Sequence, residues 1–525
     1  MKNRPENGKS IDTIHDQFPF KKERPYQTKA LDRIADFLNG PKKYCLLEGP
    51  TGFGKSAVGI AAARFAGSAY IMSPQITLAA QYMRDFSALG LRELKGAANY
   101  NCDLGMDCET AAIILGRNVH RTRCTGYFPA RQEFMAAPMG VTNFAYLLKC
   151  QDLPMRELLI VDECHGAENA ILSQVDLGAT RQQIEKNGFH FPAAGGAFVS
   201  RAWAREYKDH LSGLVSKLND RLMAQGQDTK VARKLATLRG QLERVRLFLT
   251  DSEQTEWFID RAKDKLTLRP FSAAHFAQSM LFAKCQKVLL MSATILKFSA
   301  LQKVLGIDPE DAETFAAPCD FPRKNRRIIF LPVDSMSYPN RNQTMPRMVG
   351  ATNRVVARYP DQKGIIHTHS FALNEKLAAG IEGRTVLTHK AGEPSARREE
   401  IIKRHKEAKE PTVLMSPSMV EGLDLRDDES RFQILVKVPY PNLGDPYTAA
   451  RMQRDSKWYA YQTALAIIQA CGRSVRHAND WAETWILDAD FEGFLERNRR
   501  LFPRWWLDAF EVYDLRNPPV RVRAG

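Results

Sequence analysis

Apolar stretches that run straight into glycine or acidic residues mark the chain at intervals. Tyr44-Cys45-Leu46-Leu47 leads through Glu48 into the glycine-rich segment GPTGFGKS, and Leu158 to Val161 leads into Asp162-Glu163-Cys164-His165. Runs without alternation predict strands of a parallel sheet covered on both faces, whose C-terminal edge carries the site. From about 179 to 256 the period becomes helical. Tyr207, Leu211, Leu214 and Leu218 recur in steps of four and three, as do Val231, Leu235, Leu238, Leu242, Val245 and Leu249, and the linker AQGQDTK between the two stripes predicts an antiparallel helical hairpin. After Trp257-Phe258-Ile259, the alternation in KLTLRP predicts strands that return to the first α/β unit. YQTALAIIQACGRSVRHAND reads as a helix with Gln469, Arg473 and Arg476 on one face, and its Gly472 marks the close approach of another backbone or a ligand.

Length and charge narrow the class. The 525 residues correspond to three or four units at about 150 residues each. With 44% hydrophobic and 26% charged residues the chain is globular. A net charge of +15 favours a polyanionic partner, nucleic acid first and an anionic membrane surface second. The start, MKNRPENGKSIDTIHDQ, lacks an apolar stretch of signal-peptide length, and no window reaches the roughly 18 uncharged apolar residues of a membrane span. A cytoplasmic protein without a membrane partner is expected. Nine cysteines, an odd and sparse set, point to reduced thiols or metal ligands rather than a disulfide scaffold. Cys45, Cys285 and Cys471 adjoin core elements and read as buried thiols. The pair Trp505-Trp506 reads as a packing anchor ahead of a basic tail containing Arg516, Arg521 and Arg523.

Candidate chemistry sits at the ends of the apolar runs. Gly49, Pro50, Thr51, Gly52, Phe53, Gly54, Lys55 and Ser56 form a complete P-loop. Its backbone amides can curl around the phosphates of ATP, Lys55 can add a charge at the β and γ groups, and Ser56 can ligate Mg²⁺. Asp162 can hold the same ion through its water shell, while Glu163 orients or deprotonates the attacking water. Arg473 and Arg476, with Gln469, can neutralise charge on the transferring phosphoryl group. They lie some 420 residues beyond the P-loop, so hydrolysis is expected to depend on closure between domains.

These blocks, in this order, resemble the XPD/DinG branch of superfamily 2 helicases over nearly the whole chain. Arg24-Pro25-Tyr26-Gln27 resembles the adenine-reading Q motif, Ser73 to Gln81 motif Ia, and Asp162 to His165 the DEAH box. Lys287 to Ile295 resembles motif III, Lys363 to Ser370 a divergent motif IV, Ser416 to Leu425 motif V with Glu421, Gly422 and Asp424, and Gln469 to Arg476 motif VI. The resemblance implies an α/β fold of two RecA-like P-loop domains in tandem that sandwich ATP. Single-stranded DNA would run across both, with movement from 5′ toward 3′ and unwinding of forked DNA by a monomer. It further implies that Gln27, Gly422 and Asp424 join the nucleotide site, and that His165, Ser292 and Thr294 couple it to DNA.

The implied domain map places the first RecA-like unit at 1–95, 141–178 and 257–297 and the second at 298–525. An iron-sulfur-like insertion occupies 96–140 and a helical arch-like insertion 179–256. In the smaller insertion Cys102 and Cys124 match the family's opening and closing cysteines and Cys108 supplies a third, but a cubane is usually held by four thiolates. His120, four residues before Cys124, could complete a three-cysteine, one-histidine set, which is equally familiar for zinc. A [4Fe-4S] cluster, a zinc ion and a vestigial insertion without metal all remain open. Two other function classes compete with the helicase: a non-unwinding nucleic-acid-binding ATPase or recruitment subunit, which the intact Lys55, Asp162, Glu163, Arg473 and Arg476 disfavour, and a fused nuclease, for which 23 residues ahead of Arg24 are too few.

Overall fold

The computed structural model describes residues 13–513, apart from 74–75, 104, 151, 193–196, 226–227, 252, 263, 320, 418–424 and 478. Gly422 and Asp424, with Glu421, lie outside the described residues. Five strands open the chain: β1 (Tyr44–Glu48), β2 (Ala69–Ser73), β3 (Leu91–Leu94), β4 (Met139–Asn143) and β5 (Arg156–Asp162). Then come β6 (Leu177–Thr180), β7 (Trp257–Ala262) and β8 (Lys265–Pro270), followed by β9 (Cys285–Ser292) and β10 (Ala312–Ala316). The last group is β11 (Ile328–Asp334), β12 (Gly364–His367), β13 (Thr385–Thr388), β14 (Thr412–Ser416), β15 (Phe432–Leu435), β16 (Glu483–Asp488) and β17 (Phe510–Val512).

Two seven-stranded parallel sheets result, ordered β10-β1-β9-β5-β2-β4-β3 and β13-β14-β12-β15-β16-β11-β17. Every residue of β1, β2, β12, β14 and β15 is buried, which is why these strands read as apolar runs without alternation. Each sheet packs a core on both faces. In the first, one core holds Leu46, Val161 and Leu290 and the other Leu47, Ile160 and Met291. The order puts β1, β9 and β5 side by side, with Glu48 in register with Ser292 and Asp162 with Met291. Three adjacent strands therefore end at one point on the sheet's C-terminal edge, where an open α/β sheet places its ligand.

The structure corrects the domain map in three places. β10 pairs in parallel with β1, so the first sheet continues to Ala316, past the expected boundary at 297. β7 and β8 do not return to that sheet: they form an antiparallel sheet with β6, so the insertion spans 177–270 rather than 179–256. Its hairpin, Ala197–Gln225 against Thr229–Asp251, packs on this sheet through Tyr207, Leu211, Leu238, Leu242 and Val245. In the last turn Phe248 points inward while Leu249 is only partly buried, because a 3.6-residue helix drifts against a strict four-three pattern. The helix expected to carry all three motif VI residues is Ser456–Cys471, and it stops at Gly472.

Arg156, at the start of β5, ties the first sheet to the end of the small insertion. It is 4% exposed and lies over the Tyr70 ring at 4.1 Å. One terminal nitrogen donates to the Ala69 and Pro138 carbonyls at 2.6 and 3.2 Å, the other to those of Phe134 and Ala137 at 2.8 and 2.9 Å. Arg156→Ala strands several buried acceptors, each costing about 1–3 kcal/mol, so a loss of about 3–5 kcal/mol in total is expected after partial relaxation. Urea unfolding of the purified variant checks this, and an unshifted midpoint would show that the carbonyls find other donors.

Candidate active site

The P-loop leaves β1 tied to the neighbouring strand. Gly49 N donates to Ser292 O at 2.9 Å, binding the loop to the end of β9. Gly52 and Gly54 take φ values of 78° and 88°, the left-handed region that a side chain disfavours, and helix Lys55–Ala66 starts directly after them. Its N-terminus directs backbone amides toward the site a phosphate would occupy. Lys55 Nζ donates to Gly49 O at 3.1 Å and lies 4.0 Å from Glu163 Oε1, so the cation stands between loop and acid. Gln27, expected at the adenine, here braces the protein: its Nε2 donates to Phe53 O at 2.7 Å and its Oε1 accepts from Arg24 N at 2.8 Å.

The acidic pair divides by environment. Asp162 is buried and accepts from Tyr82 Oη at 2.8 Å, while Ser56 hydrogen-bonds the same tyrosine, so Ser56 and Asp162 converge where the P-loop helix faces β5. Burial, and then the charge of Glu163, push Asp162 up to about 6. Glu163 adopts φ 50° just past the strand. Burial alone would raise its carboxyl, but the Lys55 ammonium, the hydrogen bond to His165 and the nearby Arg473 together hold it well below the usual range. Glu163 is therefore ionised, the form a base requires. The oxygen donors of Ser56 and Asp162 suit a hard cation such as Mg²⁺.

A polar chain runs from this acid to the second unit. Ser292 Oγ donates to Glu163 Oε2 at 3.3 Å and lies 2.8 Å from His165 Nδ1. Thr294 N donates to Ser292 Oγ at 3.1 Å, and Thr294 Oγ1 lies 3.5 Å from Gln469 Nε2. Of the expected motif VI residues only Gln469 is on the helix. The chain turns at Gly472, so Arg473 and Arg476 reach the cleft from the turn, not from a helix face. That glycine caps the helix rather than interrupting it. A Cβ at Gly52 would meet Arg476 O at 2.4 Å, and one at Gly472 would lie 3.7 Å from Thr51 Oγ1. The P-loop and the motif VI turn are thus in contact across a cleft of about 600 Å³ lined by both units.

Phe321 and Arg326, which carried no sequence signal, also line this cleft, as does Trp505, expected as a packing anchor. Phe321 and Arg326 lie on the crossover between the sheets, joined by a 3.0 Å bond from Arg326 Nε to Phe321 O. Trp506 is the fully buried anchor of the expected pair, whereas Trp505 faces the cleft. Cys45, Cys285 and Cys471 are buried as expected.

The small insertion gathers all four of its expected ligands. Cys102 Sγ lies 3.3 Å from His120 Nε2 and Cys108 Sγ 3.6 Å from Cys124 Sγ. The ligand atoms of Cys102, Cys108 and His120 all fall within 4.8 Å of one another. His120, which a basic loop would ordinarily leave in water, is 0% exposed. Three thiols and an imidazole turned inward fit a thiophilic metal. Burial pushes the Cys108 thiol up to about 11 without one.

Residues 20–187 match the family model for the res subunit of type III restriction enzymes, and residues 354–509 match the model for a helicase C-terminal domain. Regulator of telomere elongation helicase 1 of Homo sapiens is 31% identical over 110 residues, 18% of this chain and 9% of that protein. ATP-dependent DNA helicase CHL1 of Candida albicans is 24% identical over 288 residues, 46% of this chain and 34% of that one. The matches thus span about a third or less of these curated relatives. The solved structure named XPD_Helicase aligns with a TM-score of 0.65 at 14% identity, covering 94% of this chain and 100% of that one. S. tokodaii Xpd4 aligns over the same shares with a TM-score of 0.57 at 14% identity. The shared feature is the fold, two RecA-like α/β units.

Lys55→Ala should abolish ATP turnover in a protein that remains folded, because the lysine touches loop and acid rather than core. Glu163→Gln should keep nucleotide affinity within a few-fold while turnover drops by about 100-fold or more, since the amide keeps the shape but is no base. Fluorescent-nucleotide binding and phosphate release measure the two separately; equal loss of both in Glu163→Gln would make the residue structural.

Proposed function

We propose that the chain belongs to the XPD/DinG-like branch of the superfamily 2 helicases and that it hydrolyses ATP to move 5′ to 3′ along single-stranded DNA and to separate duplex at a fork. The observation that carries the reading is the cleft in which Lys55 and Glu163 of one RecA-like unit face Gln469, Arg473 and Arg476 of the other. A site split between two bodies makes hydrolysis sensitive to their relative position, which is what a motor must convert into movement.

In this reading Lys55 and the P-loop amides bind the β and γ phosphates, and Ser56 and Asp162 hold Mg²⁺, which supplies charge neutralisation on the phosphates. Glu163 orients the attacking water and accepts its proton, and Arg473 and Arg476 stabilise the charge of the γ-phosphoryl group in transfer. His165, Ser292, Thr294 and Gln469 form the polar relay by which DNA-dependent movement of the second unit would reach Glu163. The net charge of +15 supports a nucleic-acid track. DNA is favoured over RNA by the relative named a DNA helicase.

Two measurements test the proposal. Duplexes with a 5′ tail should be unwound when ATP is present, and those with a 3′ tail should not; the opposite preference would overturn the polarity, and no unwinding of either would leave a DNA-binding ATPase. Affinity for single-stranded DNA should fall with salt at a log–log slope steeper than about −2, the value for three or so phosphate contacts. Single-stranded DNA should also raise ATP turnover, and a flat salt response with no such rise would remove the nucleic-acid motor altogether.

A further inference from the structure

The family resemblance implies a four-iron cluster in the small insertion, but Cys102, Cys108 and His120 gather within 4.8 Å of one another, the reach of a single ion, with Cys124 joined to them at Cys108. We propose that Cys102, Cys108, Cys124 and His120 bind one tetrahedral zinc ion in place of a cubane. The inference is independent of whether the chain unwinds DNA.

Distance decides between the two. In a tetrahedral site with Zn–S near 2.3 Å and Zn–N near 2.0–2.1 Å, two thiolates stand about 3.8 Å apart and a thiolate and an imidazole nitrogen about 3.5 Å apart. The observed separations are 3.6 Å for Cys108 Sγ to Cys124 Sγ and 3.3 Å for Cys102 Sγ to His120 Nε2. A cubane interposes its own irons and sulfides, so thiolates on different irons stand farther apart than two ligands of one ion. Cys102, Cys108 and His120, all within 4.8 Å of one another, leave no room for it.

Opening the pocket to admit a cubane would break a hydrogen-bonded frame. Cys102 N donates to Met106 O at 2.8 Å and Gly105 N to Cys102 O at 3.0 Å, while Cys108 N donates to Tyr100 O at 2.9 Å. These bonds hold Cys102 and Cys108 together with their two sulfurs on one side. Cys108 opens helix Cys108–Leu115, His120 sits within helix Arg117–Arg123, and Cys124 follows at that helix's end. The spacing from His120 to Cys124 is the H-x₃ step of zinc modules. Gly126 closes the pocket: a Cβ there would meet Asn101 O at 2.7 Å and Cys108 Sγ at 3.2 Å.

The histidine supplies an independent pointer. His120 is fully buried, against the Phe128 ring at 5.5 Å, and its Nδ1 has no hydrogen-bond partner. Nε2, the ring atom a metal would take, is the one turned to the Cys102 sulfur at 3.3 Å. The insertion's own cluster is small, Cys102, Cys108, Ala111 and Cys124 with a few partly buried neighbours, so the ion would supply the stability that the core lacks. Ile114, on the helix that Cys108 opens, packs against Leu222, Val231 and Leu235 of the hairpin, so the ion would also fix one insertion on the other.

The test uses the full chain, expressed with both iron and zinc supplied and purified without oxygen. Zinc at about one equivalent per chain, without acid-labile sulfide or the brown absorption of a cluster, is expected. Cobalt(II) added to metal-free protein should give the intense visible bands of a tetrahedral ion. His120→Ala should lose most bound zinc, while His120→Cys should retain it and move the cobalt bands to longer wavelength. Iron and sulfide in equal amounts would overturn the proposal. So would a wild-type chain that binds neither metal, or full zinc retention in His120→Ala.

Discussion

The P-loop and the motif VI turn leave no space between them at Gly52. With the Arg476 carbonyl oxygen 2.4 Å from where a Cβ would stand, position 52 must be glycine for the two RecA-like units to meet, quite apart from its left-handed backbone. The geometry of the cleft follows from that contact. It brings Arg473 close enough to lower the Glu163 carboxyl, brings Gln469 to Thr294, and closes a cleft whose two walls come from different sheets. A P-loop alone binds phosphate. Bringing the second sheet to its mouth adds the positive charge that a phosphoryl transition state needs.

The apposition is held by polar contacts around the cleft. Arg451 pairs with Glu168, both buried, and Trp458 Nε1 reaches the same carboxylate at 3.4 Å. Glu168 lies five residues past Glu163, so this pair is rooted beside the acidic edge of the cleft. Tyr461 Oη donates to Ile295 O at 2.8 Å and Tyr447 Oη to Pro270 O at 3.0 Å, tying the second unit both to the end of motif III and to the insertion's sheet. Buried ion pairs add little net stability but penalise misalignment, because a displaced partner leaves a charge without compensation. A domain interface built this way has a defined closed position.

Local chemistry was legible in the sequence, and long-range pairing was not. The P-loop, the DECH box and the motif III serine and threonine each occupy a few consecutive residues whose types their chemistry dictates, and the structure brings Lys55, Asp162, Glu163, Ser292 and Thr294 to one edge of one sheet. The helix end at Gly472 was misread because the residues before it keep helical periodicity up to Cys471, and a glycine at that place suits an interior contact and a cap equally. β10 was missed because its burial alternates, and only its pairing with β1 shows where it belongs. KLTLRP was correctly extended but assigned to the wrong sheet, since alternation identifies a strand and not its partner. Phe321, Arg326 and Trp505 reach the cleft by tertiary packing alone. His120 was legible as a candidate fourth ligand from its spacing to Cys124, but nothing in the basic run RNVHRTR showed that the fold would bury it completely beside Cys102 and Cys108.

The central claim is that Glu163 and Arg473, more than 300 residues apart, act on one phosphoryl group as a single unit. A double-mutant cycle on single-turnover ATP hydrolysis with saturating single-stranded DNA tests it most directly, using Glu163→Gln, Arg473→Ala and the pair. Residues that work as a unit are strongly non-additive, so the double variant should be no more than a few-fold slower than the slower single variant. Losses that multiply would contradict the account, because they would mean that the two sides of the cleft act independently.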